Sequence, residues 1–252
     1  MKYLKYLKFK IFNNKITYNM DTINEDISKT NKLKPKPELK QYLNEGDFEI
    51  GVDEVGRGCL AGPVVCAACI WPNTEDPENI KKYEIRDSKK LSKKKRKESC
   101  EYIKKTAILY SIKYGDNEMV DKYNILKATK MLMHECIRDI EEQLKKQNIS
   151  KINTILVDGP QFDMYLDKDF EYIPHKCIIS GDNVYKSIAA ASILAKESRD
   201  NYMIQLTEDN PDFLKYGWQT NMAYGTKKHT DAIKEHGITK YHRKTFGICK
   251  NY

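Results

Sequence analysis

Ile50-Gly51-Val52-Asp53-Glu54-Val55-Gly56-Arg57-Gly58-Cys59-Leu60-Ala61-Gly62-Pro63 reads as a short apolar strand that ends in two adjacent carboxylates and then turns on glycines. A second apolar run, Val64 to Trp71, follows at once. Side chains alternate in direction along a strand, so Asp53 and Glu54 face one site only if the backbone bends there, and Gly56, Gly58 and Gly62 supply that freedom. Neighbouring carboxylates repel and raise each other's pKa unless a cation holds them, and an oxygen-only ligand set suits magnesium or manganese. Gly56-Arg57-Gly58 leaves bare backbone N–H groups that a sugar or phosphate can approach, beside a guanidinium suited to bidentate phosphate contact. Taken alone, the acidic pair has a blander reading as an exposed strand end. Next to a phosphate cradle it points to a metal nuclease or a phosphoryl-transfer enzyme.

The chain of 252 residues carries a net charge of +8, which suits a polyanionic partner. Residues 1–46 hold ten Lys against five acids, so +5 of that charge lies there. Residues 81–105 hold twelve Lys or Arg against four acids; the rest of the body is therefore net acidic, as a carboxylate metal site beside a basic binding strip would be. Seven scattered cysteines argue against a disulfide framework and for a reducing, intracellular compartment. Cys66 and Cys69 form a CxxC inside an apolar run without a second pair at zinc spacing, so they read as core thiols. No apolar stretch has the length of a membrane span.

Residues 1–46 read as a basic, low-complexity extension, disordered or weakly nucleic-acid-binding, and residues 47–252 as one folded domain. A basic presequence is one possibility for the extension, although Arg and Ser are sparse in it. Met20 is an alternative start. Lys34-Pro35-Lys36-Pro37 reads as an extended linker.

Within the domain the pattern predicts strands over 48–52, 64–71, 107–114, 152–157 and 176–180. It predicts a helix capped by Ser92 and running to about Lys105, and a long amphipathic helix from Glu118. A helix over 185–207 opens on small residues. The stretch 216–229 reads as a glycine-broken aromatic and basic loop, of the kind that stacks on sugars and bases, before a helix over 226–236. Met133 and His134 read as packing residues, and the five His show no pairing that suggests a triad or a zinc site. Ser192, Lys196 and Arg199 form a polar stripe that meets either phosphate or solvent. Asp158, at the end of strand 152–157 and followed by Gly159, repeats the opening pattern, and strand ends are where ligands gather in open α/β sheets. Small side chains after Gly181-Asp182-Asn183 bring Asp182 near the same point.

The set Gly51-Val52-Asp53-Glu54-Val55-Gly56-Arg57-Gly58, Gly62-Pro63, Asp87-Ser88-Lys89-Lys90-Leu91, Val157-Asp158-Gly159, Gly181-Asp182, Ala189 to Lys196, Tyr224-Gly225-Thr226 and His242-Arg243 resembles ribonuclease HII, the bacterial form of type 2 ribonuclease H, in order over roughly residues 48–248. The resemblance implies an α/β, ribonuclease H-like fold: a mixed five-stranded sheet flanked by helices, with a helical C-terminal region. It makes Asp53, Glu54, Asp158 and Asp182 the catalytic, metal-binding acids for Mg2+ or Mn2+. Gly56, Arg57 and Gly58 would contact the ribose 2′-hydroxyl, Tyr224 the sugar at an RNA-to-DNA junction, and Ser88 and Lys89 the nucleic-acid backbone. The implied partners are an RNA–DNA hybrid and duplex DNA containing a ribonucleotide; no feature of the sequence itself demands an oligomer, so a monomer without membrane attachment is expected. Phosphodiester hydrolysis would leave 5′-phosphate and 3′-hydroxyl ends.

Two positions depart from the family pattern: Cys59 stands where proline is usual and Ala223 where glycine is usual. The interval from Asp158 to Asp182 is longer than usual. Arg57 between glycines speaks against the sister type, ribonuclease HIII, and the full set of acids against a catalytically silent binding module.

Overall fold

The computed structural model describes residues 38–149 and 151–252. Strands β1 (Glu49–Val55) and β2 (Val64–Ile70) pair antiparallel across the glycine turn, in unbroken register from Ile50 opposite Ile70 to Val55 opposite Val65. A short helix α1 (Pro77–Lys82) and a 3-10 turn over Ser88–Lys90 lead into α2 (Lys93–Thr106). Ser92 caps α2 by accepting the Lys95 amide at 3.3 Å, the expected role of a serine before a helical run.

The chain continues through β3 (Leu109–Gly115), α3 (Asn117–Tyr123), α4 (Ile125–Lys146) and β4 (Thr154–Asp158). A small hairpin, β5 (Tyr165–Leu166) and β6 (Tyr172–Ile173), precedes β7 (His175–Ile178). Helices α5 (Lys186–Asp209), α6 (Trp218–Asn221) and α7 (Lys227–His236) complete the set.

The sheet order is β3-β2-β1-β4-β7. Its first two joints are antiparallel and its last two parallel, so it is the expected mixed five-stranded sheet. Helix α4 covers one face, where Leu132, Ile137 and Ile140 meet Ile50, Val52 and Val157. Each such buried side chain contributes about 2 kcal/mol. Helices α2 and α5 cover the other face, through Ile103, Ala190, Ala191 and Leu194. Small residues on α5 let its backbone come very close to β1, and a Cβ at Gly51 would overlap the main chain of Ser187 and Ile188. A buried ionic group fastens α2 to α5: Arg96 bonds Glu197 and Asp200, each at 3.0 Å, and Lys196 bonds Asp200 at 2.6 Å.

The long helix expected from Glu118 is two helices. Asn124 breaks it with φ 62 and caps the second segment, accepting the Lys127 amide at 3.0 Å. Asparagine tolerates the left-handed region and caps well, which the apolar spacing around it conceals. The 216–229 stretch is likewise not all loop, since α6 makes one turn between Gly217 and Met222 and buries Trp218 completely. Cys66 lies in the α4-side core and Cys69 in the α2-side core, so the CxxC thiols occupy opposite faces of the sheet. All seven cysteines are free. No helix among the described residues is long and apolar enough to cross a membrane.

The expectations for a disordered extension, a presequence and Met20 fall on residues 1–37, outside the described residues. Residues 39–46 are tied to the sheet domain. Lys40 exchanges backbone hydrogen bonds with Val184 and Lys186, and the Glu49 carboxylate accepts the Leu43 and Asn44 amides at 2.7 Å each.

Candidate active site

Four elements bring acidic side chains to one end of the sheet. β1 delivers Asp53 and Glu54, the parallel strand β4 delivers Asp158, and the 3-10 turn Gly181–Asn183 after β7 delivers Asp182. The expected bend between Asp53 and Glu54 is absent. The β1–β2 register runs straight through both residues, so their side chains leave on opposite faces. Asp53 turns toward α5, where the Ser192 hydroxyl bonds it. Glu54 turns to the α4 side and pairs with Arg57 at 3.2 Å.

Asp158 is what joins the two sides. Its charge bears on Asp53, on Glu54 and on Asp182. Its Oδ1 accepts the Gly181 amide at 2.6 Å, which ties β4 to the turn that carries Asp182. The longer interval between these two acids is taken up by the β5–β6 hairpin, a separate two-stranded sheet, so β7 still pairs with β4 as far as Asp158.

Burial, then the charges of Glu54 and Asp158, push the Asp53 carboxyl well above its usual pKa. Burial also raises Glu54, against the pull of Arg57. Asp182 is raised to about 6 by burial and by the charges of Asp87 and Asp158. Three acids held above their normal range mark a site with too little positive charge. Lys89 offsets part of it at Glu54 and Asp182.

An oxygen-only donor set with surplus negative charge fits a hard divalent cation. As the side chains stand, no group of three His, Cys, Asp or Glu among the described residues is close enough to grip an ion, in keeping with Asp53 and Glu54 lying on opposite faces.

A cleft of about 230 Å³ opens between Glu54, Arg57, Thr129, Met133, Asp158 and Gln161. The larger hollow of about 450 Å³ lies at the β5–β6 hairpin and holds none of the four acids.

The remaining expected residues border this end of the sheet. Gly56 adopts φ 89, against Arg199 and the Pro63 carbonyl, while Gly58 has open space where a side chain would be. Arg57 projects outward. Ser88 faces inward, 3.1 Å from the Ser192 hydroxyl, and is buried, whereas Lys89 beside it is exposed. Tyr224 is 40% exposed and bridges Cys59 across a single antiparallel pair. Ala223, preceding it, does take a positive φ of 61, at a cost of about 1 kcal/mol relative to glycine.

The polar stripe on α5 divides differently from either reading. Lys196 is spent on Asp200, and Arg199 is fully buried, donating to the carbonyls of Pro63, Ala61 and Met222.

Two further residues belong to the site: Asp87, to which the sequence assigns no role, and Ser192, which the sequence places only on the polar stripe of α5. Asp87 accepts the Lys89 amide at 3.0 Å and faces Asp182; its own burial is outweighed by bonds from Lys89 and Asn183, which hold its pKa low. Ser192 links Ser88 to Asp53. Asp87 stands at the capping position before Ser88-Lys89, which is the signal that marks it.

Residues 50–249 match the family model described as Ribonuclease HII. Ribonuclease HII of Parabacteroides distasonis is 45% identical over 210 residues, covering 83% of this chain and 95% of that protein. Ribonuclease HII of Cytophaga hutchinsonii is 40% identical, covering 82% and 93%. Among solved structures, the ribonuclease H2 of Pyrococcus horikoshii superposes with a TM-score of 0.63 at 20% identity, over 81% of this chain and 95% of that one. The ribonuclease HII of Archaeoglobus fulgidus, solved in complex with PCNA, gives 0.58 at 27% identity, over 80% and 96%. A ribonuclease HIII in complex with Mn2+ gives 0.54 at 23%, over 75% and 62%. With this fold, these carboxylates and relatives matched over nearly their full length, the chain belongs to the ribonuclease HII family of metal-dependent endonucleases, which degrade the RNA of RNA–DNA hybrids.

Proposed function

We propose that this enzyme cleaves both RNA–DNA hybrids and duplex DNA carrying a single ribonucleotide, using two divalent cations held by Asp53, Glu54, Asp158 and Asp182. The observation that carries the reading is the position of Asp158, which follows Val157 as Asp53 follows its parallel partner Val52 and which accepts at Oδ1 the amide of Gly181, the residue before Asp182, at 2.6 Å. When bound, the cations supply the positive charge that activates a water molecule and stabilises the leaving 3′ oxygen.

The protein's own part is to position the substrate. Main-chain groups of Gly56, Arg57 and Gly58 would meet the ribose 2′-hydroxyl, with Arg57 and Gly58 exposed and Gly56 buried behind them, and the Arg57 side chain, 45% exposed, stands at the mouth to meet phosphate. Lys89 adds a second cation at the edge, and Tyr224 offers a ring face to the neighbouring sugar. Water attacks phosphorus as the bond to the 3′ oxygen breaks, leaving 5′-phosphate and 3′-hydroxyl ends.

The test is a nicking assay on a duplex with one ribonucleotide and on a uniform hybrid, each with and without Mn2+. Metal-dependent cutting of both, with those end groups, is the expected result. Cutting of the hybrid alone would remove the single-ribonucleotide activity from the reading.

A further inference from the structure

The C-terminal core holds a line of buried rings whose hydrogen bonds permit one protonation pattern. Trp218 is a donor only, and its Nε1–H meets His229 Nε2 at 2.9 Å, so that nitrogen carries the lone pair. The hydrogen of His229 therefore sits on Nδ1, which donates to the Tyr224 carbonyl at 3.0 Å. His242 accepts the Thr239 amide on Nδ1 at 2.8 Å, which leaves its own hydrogen on Nε2, 3.1 Å from His229 Nε2. Two histidines 13 residues apart are thus paired by the fold, a pairing the sequence does not announce. Both are fully buried.

The line ends on a turn that needs support. Met222 and Ala223 take φ 49 and 61, a left-handed conformation that side-chain-bearing residues disfavour. Outside bonds hold it: Arg199 to the Met222 carbonyl at 2.9 Å, and Leu60 to the Ala223 carbonyl at 2.8 Å. The next carbonyl, that of Tyr224, accepts the Thr226 amide at 2.8 Å from within the turn and the His229 Nδ1–H at 3.0 Å from outside it.

We propose that His229 is a positioning residue for Tyr224, donating from Nδ1 to its carbonyl with the tautomer locked by Trp218 and His242, and that it thereby sets the preference for a single ribonucleotide over a uniform hybrid. This rests on the reading of Tyr224 as the sugar-contacting residue. His229 touches no substrate on this account. It fixes where the half-exposed tyrosine ring is presented.

Two substitutions of similar polarity separate the role from general packing. His229→Asn places an amide N–H near the Nδ1 position and keeps the donor to Tyr224. His229→Gln reaches instead toward the Nε2 position and loses it. The readout is the ratio of cleavage rates on a single-ribonucleotide duplex and a uniform hybrid, beside the melting temperature.

Tyr224→Ala is expected to lower the ratio about tenfold, His229→Gln to lower it by a similar factor, and His229→Asn to stay within about twofold of the parent. In the Tyr224→Ala background, His229→Gln is expected to change the ratio no further, since both act through one group. An unchanged ratio in Tyr224→Ala removes the tyrosine reading, and the positioning role with it. A normal ratio in His229→Gln, or an undiminished effect of it without the tyrosine, overturns the positioning role alone. Should His229→Gln fail to fold, Trp218→Phe keeps an aromatic ring and withdraws one of the two donors that face His229 Nε2, which weakens the hold on the tautomer; it is expected to lower the ratio about threefold, and an unaltered ratio overturns the proposal.

Discussion

Asp158 Oδ1 accepts the amide N–H of Gly181 at 2.6 Å, so the carboxylate that bears on the other three acids is also the brace for the turn carrying Asp182. The two duties can be separated. An asparagine keeps the Oδ1 acceptor and discards the charge. Asp158→Asn is therefore expected to fold with an unchanged or slightly raised melting temperature without metal, because repulsion on Asp53, Glu54 and Asp182 is relieved. Its cleavage rate should fall at least about a thousandfold, and the stabilisation conferred by Mn2+ should shrink. Near-normal turnover in this variant would end the assignment of the site.

Gly51 has a structural part only. It lies where α5 presses its main chain against β1, and any Cβ there meets the backbone of Ser187 and Ile188. Backbone cannot swing aside as a side chain can, so Gly51→Ala is expected to destabilise the domain by at least about 2 kcal/mol. Ser192, one turn further along α5, would move with it and release Asp53. Equilibrium denaturation measures the first effect. Stability equal to that of the parent would mean that α5 does not approach the sheet this closely.

The first turn of α2 carries Lys93, Lys94 and Lys95 and no acid, where the helix dipole favours the opposite charge. Lys95 is paired with Glu84, while Lys93, Lys94 and Lys97 are exposed. The turn just before this helix holds Lys89, within reach of Glu54 and Asp182. Phosphates of a bound duplex are the natural counter-charge for such a strip. Replacing Lys93, Lys94 and Lys97 by alanine should weaken hybrid binding and flatten the plot of log affinity against log salt by about one unit for each phosphate no longer neutralised. The melting temperature should hold or rise. An unaltered salt slope would show that the strip faces solvent alone.

Much of this was legible in the chain because the decisive signals are local. Apolar runs ending in Asp53-Glu54 and in Asp158 mark strand ends, Ser92 marks the start of α2, and the spacing of glycines marks the turn between β1 and β2. What escaped depends on groups far apart in sequence. Asp53 and Glu54 were expected to share one face because glycines follow them, yet continuous pairing with β2 keeps β1 straight, and the acids are joined through Asp158 instead. Arg199 looked like a surface residue on a polar stripe. Its burial follows from three carbonyls, of Ala61, Pro63 and Met222, that only the folded chain assembles. Asn124 divided a helix whose apolar period runs on across the break.

The buried pair of histidines gives stability a pH dependence whose sign can be worked out. Burial, and then His229 beside it, holds His242 down to about 3, and burial lowers His229 as well. In the unfolded chain each histidine titrates near about 6.5. Between those values the unfolded state binds more protons than the folded one, so stability is complete above about 6.5 and falls as the pH drops toward 3. The loss from one such group is at most about 1.4 kcal/mol per pH unit. Raised active-site acids act in the opposite sense, so the comparison must be made within a pair of variants. In His242→Asn, the Oδ1 atom can still accept the Thr239 amide, but the titrating ring is gone. The parent should exceed this variant in stability most clearly above about pH 6.5, with the gap narrowing on acidification, as read from urea midpoints. Parallel curves would show that His242 takes up its proton in the folded state as readily as in the unfolded one, and that the donor pattern around His229 is not fixed.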